Sequence, residues 1–152
     1  MANDVGKIYV GWSEINALTY KIKEDIMESH NWPWKIQQIV GISRGGLVPG
    51  IILSHMFNVP FCPLVWQTRD NNDGRTNDLG KLLELKYAKQ QDILFVDDIC
   101  DSGLTIEQIR KHVPYGTWAV LYSKLDNMGL DFVGKELYND DRWLIFPWER
   151  NE

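Results

Sequence analysis

The chain has 152 residues, of which 44% are hydrophobic and 24% charged, and carries a net charge of −5. That length is enough for one domain with its own core. The acidic balance, with no run of lysines or arginines, argues against a nucleic-acid-binding surface. Two cysteines without a CxxC pair indicate neither a disulfide scaffold nor a zinc site, and no run reaches transmembrane length, so a cytoplasmic protein without stable membrane insertion is expected.

Ser13 is placed to cap a helix in which Ile15, Leu18, Ile22 and Ile26 recur at steps of three and four, giving one apolar stripe. His30 and Asn31-Trp32-Pro33 are expected to end it. Residues 36–42 then read as a strand running straight into Ser43-Arg44-Gly45-Gly46-Leu47-Val48-Pro49-Gly50. Consecutive glycines open backbone angles closed to other residues, so several N–H groups can turn toward one anion, and Arg44 adds a fixed cation. Pro49 suits the first turn of a following helix.

Gly41-Ile42-Ser43-Arg44-Gly45 also fits the G-x-S-x-G nucleophile elbow of α/β-hydrolases, which needs a later acid and histidine. Of the two histidines that follow, His55 lies on the helix the elbow would begin and His112 at the end of another. Neither sits in a loop after a strand. Leu47, Ile51, Ile52 and Met56 give the next helix a core face, and residues 59–65 a strand whose prolines place it at the sheet margin. Residues 67–78 contain no large apolar side chain, so they form a long surface loop, and residues 79–85 return as a strand or short helix.

The chemistry is concentrated further along. Ile93-Leu94-Phe95-Val96 reads as a parallel strand buried on both faces, ending on Asp97 and Asp98. Asp101, Ser102, Gly103, Leu104 and Thr105 lead into a helix carrying Ile106, Ile109 and Arg110. A helix start offers unpaired N–H groups and the positive end of a dipole, where a phosphate can bind. Gly103 permits close approach, and Ser102 and Thr105 add hydroxyl donors. Asp97 and Asp98 would repel that phosphate and suit ribose hydroxyls and Mg2+ instead. If the ligand is a sugar phosphate, Asp101 would lie between the sugar and whatever reacts with it. An ordinary capped helix would need only one such polar residue. Residues 118–122 form another buried strand, ending at Ser123-Lys124.

Val96-Asp97-Asp98-Ile99-Cys100-Asp101-Ser102-Gly103-Leu104-Thr105 resembles the phosphoribosyl pyrophosphate (PRPP) binding motif of type I phosphoribosyltransferases. The stretch from Ser43 to Gly50 is similar to the pyrophosphate loop of their bacterial xanthine-guanine members, and Arg142-Trp143-Leu144-Ile145-Phe146-Pro147-Trp148-Glu149 to the purine-binding hood of those enzymes. The resemblance implies an α/β fold over residues 1–152, with a mostly parallel sheet flanked by helices and a small C-terminal hood at residues 125–152.

It also implies transfer of the 5-phosphoribosyl group from PRPP to a 6-oxopurine (guanine, xanthine or hypoxanthine), with Mg2+ as cofactor and pyrophosphate released. Asp97, Asp98, Asp101, Ser102, Gly103, Leu104 and Thr105 would hold the ribose and its phosphate, Asp97 and Asp98 the metal, and Ser43, Arg44, Gly45 and Gly46 the pyrophosphate. Asp101 would take the proton lost by the purine. Lys124 would donate to the purine O6, Trp143 would stack on the base, and Leu144 and Glu149 would reach its edge. The loop at 66–78 would close over the reaction, with Arg69 or Arg75 meeting the pyrophosphate, and the chain would form a dimer or tetramer. Two rivals share the fold: a nucleotide-binding regulatory protein, and an enzyme with a pyrimidine or another small base as acceptor. The loop at 67–78 and residues 127–141 depart from the pattern, which leaves the choice of base open.

Overall fold

The computed structural model describes residues 6–29, 36–68, 77–87 and 92–149. In chain order these form β1 (Lys7–Tyr9), α1 (Trp12–Glu28), β2 (Gln38–Ser43), α2 (Leu47–Phe57), β3 (Phe61–Val65), α3 (Leu79–Tyr87), β4 (Ile93–Cys100), α4 (Leu104–His112), β5 (Thr117–Ser123), β6 (Phe132–Glu136), β7 (Trp143–Ile145) and a 3-10 turn at Pro147–Glu149. Strands β2 to β6 make one five-stranded sheet in the order β3-β2-β4-β5-β6, with every pairing parallel.

Parallel strands need crossover connections, and the helices that supply them cover both faces of the sheet. Alternation along each strand divides the side chains between two cores. Val40, Ile42, Leu64, Phe95, Trp118 and Val120 pack with Leu82 and Leu85 of α3 and Ile106 and Ile109 of α4. Ile39, Leu94, Val96, Ala119 and Leu121 pack with Ile15, Ile22 and Ile26 of α1 and Leu53 of α2. Each fully buried aliphatic side chain contributes about 1.5–3 kcal/mol, so these two layers hold the sheet. Phe95 and Trp118 stack across neighbouring strands at 4.8 Å. Among the described residues no helix is long and apolar enough to cross a membrane.

Several sequence expectations are corrected. Helix α1 starts at Trp12 behind Gly11, with no side-chain cap, so Ser13 lies inside the first turn instead of before it. His30 and residues 31–33 lie outside the described residues. Residues 79–85 belong to a helix, α3, and β3 is an edge strand, as its prolines suggest. Strand β4 does not end on the two carboxylates but runs through them to Cys100, because β5 goes on pairing with it at Ile99↔Tyr122 and Cys100↔Ser123 after β2 has paired for the last time at Gly41↔Val96. Phe132–Glu136, expected within the hood, forms β6 at the other edge of the main sheet. The hood is β7 paired in parallel with the N-terminal β1, Lys7↔Trp143 to Tyr9↔Ile145.

The strand order places the site. From β2 the chain passes through α2 to β3 on one side, whereas from β4 it passes through α4 to β5 on the other. Adjacent strands whose connections leave in opposite directions open a crevice at their carboxyl ends, where ligands of parallel α/β sheets bind.

Candidate active site

A cavity of about 830 Å3 opens at that crevice. Arg44 and Gly45 line it from the loop after β2, Asp97, Asp98, Asp101, Ser102, Gly103, Leu104 and Thr105 from β4 and the start of α4, Lys124 from the end of β5, and Trp143, Leu144 and Glu149 from the hood. Gly46 packs beneath the loop, and Ser43 is the last residue of β2.

The paired glycines do not use the backbone freedom expected of them. Gly46 has φ −74°, and neither it nor Gly45 adopts a positive φ. What forbids a side chain is space. A Cβ at Gly45 would run into the Asp98 carboxylate, and one at Gly46 would lie 2.2 Å from the Val96 carbonyl oxygen. The loop after β2 thus lies directly against β4 where the acidic pair begins. Gly103 is a different case. At φ 83° it occupies the left-handed region that favours glycine, and it caps α4. The backbone N–H of Leu104 donates to Ser102 Oγ at 3.4 Å.

Asp97 is buried, and Oδ1 of its carboxylate accepts the backbone N–H of Asp98 at 2.8 Å. Burial and the adjacent Asp98 charge raise the Asp97 carboxyl well above its ordinary value. Burial pushes Asp98 up to about 6, and the charge of Glu149 adds to the shift. Asp97 is buried and Asp98 half-buried, side by side at the cavity wall. Mg2+ binds through one or two carboxylates together with substrate phosphates and water, and this pair fits that requirement. Among the described residues no group of three or more His, Cys, Asp and Glu side chains gathers as a protein-only metal site.

The hood side of the cavity is partly committed within the protein. The Lys124 backbone N–H donates to the Cys100 carbonyl at 2.9 Å, which joins the ends of β4 and β5, and its ammonium donates to the Arg142 carbonyl at the foot of the hood. Trp143 is 48% exposed, whereas Leu144 is buried. Glu149 Oε1 accepts the Phe146 N–H at 3.0 Å, so one oxygen closes the final turn while the charge of the group reaches Asp98. Trp148 lies flat on Phe146 at 5.0 Å and meets Trp12 at 5.9 Å, and Phe146 in turn meets Tyr122. The Tyr122 hydroxyl donates to the Glu14 carboxylate. This aromatic chain fastens the hood to α1 and β5.

Trp66, Gln67 and Thr68 also line the cavity, just past the end of β3; the sequence reading placed them in the closing loop at 66–78 but gave none of them a ligand contact. Their place was implied once β3 was read as a strand of the same parallel sheet, since its carboxyl end reaches the same rim. Arg69 and Arg75 lie outside the described residues. Among the described residues no histidine lines the cavity, and the His112 ring packs at 6.4 Å from Trp66 instead. The hydrolase elbow thus finds no histidine on the cavity wall among the described residues.

The fold and the crevice define a class, α/β proteins that hold a ligand at the switch point of a parallel sheet. The chain belongs to the phosphoribosyl transferase domain family, whose model matches residues 11–113. Its curated relatives include the xanthine-guanine phosphoribosyltransferase of Idiomarina loihiensis, 26% identical over 146 residues that cover 94% of this chain and 87% of that protein. The xanthine-guanine phosphoribosyltransferase of Cereibacter sphaeroides is 28% identical over 151 residues, covering 93% and 86%. Among solved structures, a purine phosphoribosyltransferase from Pyrococcus horikoshii shares the fold, with a TM-score of 0.72 at 23% identity and 97% of each chain covered.

Proposed function

We propose that this protein transfers the 5-phosphoribosyl group of PRPP to a ring nitrogen of a 6-oxopurine, releasing pyrophosphate. One observation carries the reading: the Arg44-Gly45 loop, the acidic end of β4, the start of α4 and the hood all face a single cavity. That cavity is large enough for a sugar phosphate with a group on either side. The purine assignment is supported by the names of the curated relatives and by the aromatic hood.

Each part has its physical role. Ser102, the N–H groups at Gly103 and Leu104, and Thr105 bind the 5-phosphate, where the start of α4 favours an anion. Arg44 and the backbone of the Ser43–Gly46 turn bind the pyrophosphate. Asp97 and Asp98 orient the ribose hydroxyls and hold Mg2+, which when bound offsets negative charge on the leaving pyrophosphate. As the bond from C1 of the ribose to pyrophosphate breaks, positive charge grows on the sugar, and the fixed carboxylates stabilise it. Asp101, at the rim, takes the proton the purine loses on forming its bond to ribose. Lys124 donates to O6, Trp143 covers the ring plane, and Leu144 and Glu149 border the remaining edge. Assembly as a dimer or tetramer belongs to the same reading.

The test is to incubate the protein with PRPP and Mg2+ and each of guanine, xanthine, hypoxanthine, adenine and uracil in turn, measuring pyrophosphate. Release with one or more of the first three, and not with the last two, is expected. Release with uracil alone would overturn the purine assignment, and no release with any base would overturn the catalytic one.

A further inference from the structure

Thr68 stands outside the strand-loop-helix segment at 93–105, yet its Oγ1 lies 3.4 Å from Oγ1 of Thr105 in the first turn of α4. Both residues line the cavity. At that separation two hydroxyls bond each other only weakly, and each can turn its hydrogen toward a third oxygen placed between them.

The segment carrying Thr68 is fixed on two sides. Trp66 is buried, donates from Nε1 to Gln108 Oε1 at 3.0 Å, and meets the His112 ring at 6.4 Å. Thr105, Gln108 and His112 follow at steps of three and four along α4, so residues 66–68 are strapped to one face of that helix. Behind them Asn77 grips both backbone groups of Gln67, accepting its N–H at 2.6 Å and donating to its carbonyl at 3.1 Å. The Asp78 N–H donates to the Val65 carbonyl at 2.9 Å. A hydroxyl held this way needs little further ordering when a ligand arrives.

We propose that Thr68 is a binding residue for the ligand's 5-phosphate, donating Oγ1–H to the phosphate that Ser102, Gly103 and Thr105 surround. This rests on the phosphoribosyl reading of the site and adds to it a donor from the segment just after β3, outside the loop that follows β4. The phosphate then ties the end of β3 to the start of α4.

Calorimetric titration with ribose 5-phosphate and, separately, with pyrophosphate, both with Mg2+, tests it on the full chain and on Thr68→Val and Thr68→Ser. Thr68→Val is expected to bind ribose 5-phosphate about tenfold more weakly, the loss of one hydrogen bond to a charged group, with pyrophosphate affinity unchanged. Thr68→Ser keeps the affinity for both. Thr68→Ala replaces the valine variant should that one misfold. Unchanged ribose 5-phosphate affinity in Thr68→Val would overturn the proposal, as would an equal loss for both ligands, which marks a general distortion of the cavity. If the unsubstituted protein binds neither ligand, the phosphoribosyl reading itself fails and takes this role with it.

Discussion

Gly45 and Asp98 share one space: a Cβ on the glycine would stand 1.8 Å from Oδ2 of the aspartate and 2.2 Å from its Cγ. The loop from β2 and the carboxylate on β4 are thereby set in direct contact. A methyl group at position 45 must push the carboxylate aside. Gly45→Ala is expected to fold, since a side chain and not backbone gives way, but to lose activity by about a hundredfold or more, the cost of displacing a positioning group by an ångström. Gly46→Ala meets the Val96 carbonyl and the Ile42 backbone instead, and is expected to cost about 1–3 kcal/mol of stability. Denaturant melts and pyrophosphate release on both variants separate the two effects. Equal melting midpoints would refute the distinction.

Asp98→Asn is expected to raise the melting temperature of the ligand-free protein near neutral pH while abolishing turnover. The Asp98 carboxyl titrates at about 6 in the folded chain against an ordinary 3.8, so ionisation penalises the folded state. The penalty is full above the folded value, shrinks as pH falls through it, and is gone below the ordinary one. The advantage of the variant should therefore narrow steadily on acidification. Added Mg2+ should raise the melting temperature of the unsubstituted protein more than that of Asp98→Asn, because binding to the native state adds stability. An advantage independent of pH would refute the assignment.

Asp101 is exposed at the cavity rim, so its replacement has little to unfold. Asp101→Asn is expected to lower kcat by about 10²–10⁴-fold, the usual contribution of a positioned general base, while PRPP binding stays unchanged. Single-turnover kinetics with PRPP titrations measure both quantities. Normal turnover in this variant removes the residue from proton transfer.

Lys124→Met should weaken the base and spare PRPP. Loss of a charge-assisted hydrogen bond to O6 predicts a fall in kcat/KM for the purine of about 10–100-fold, with KM for PRPP unaltered. Because the Lys124 ammonium also donates to the Arg142 carbonyl, proteolysis within the hood should quicken as well. A loss that falls on PRPP instead would place the lysine elsewhere in the reaction.

The sheet and the two polar turns at its carboxyl rim were legible in the sequence because both signals are local. Ile93-Leu94-Phe95-Val96 is a short apolar run, and it is buried on both faces as such runs are in parallel sheets. What stayed hidden depends on contacts between residues distant in the chain. Lys7–Tyr9 is three residues long, and nothing within it announces a partner at Trp143–Ile145. Phe132–Glu136 lies near the hood in sequence but is drawn to the open edge of β5. The glycine pair was recognised for the freedom of its backbone, yet its constraint is the carboxylate and carbonyl beside it, which no sequence displays. Thr68 escaped notice because its neighbour Thr105 arrives through the fold of α4 and not through any motif.

Pairing of β1 with β7 ties Lys7–Tyr9 to Trp143–Ile145, more than a hundred residues along the chain. During synthesis Lys7–Tyr9 has no β7 partner until Trp143–Ile145 has left the ribosome, so this pairing can form only after the strands of the main sheet have emerged. Closing so long a span carries an entropic cost, and bulky fusions ahead of β1 would burden this late step while leaving the earlier ones untouched.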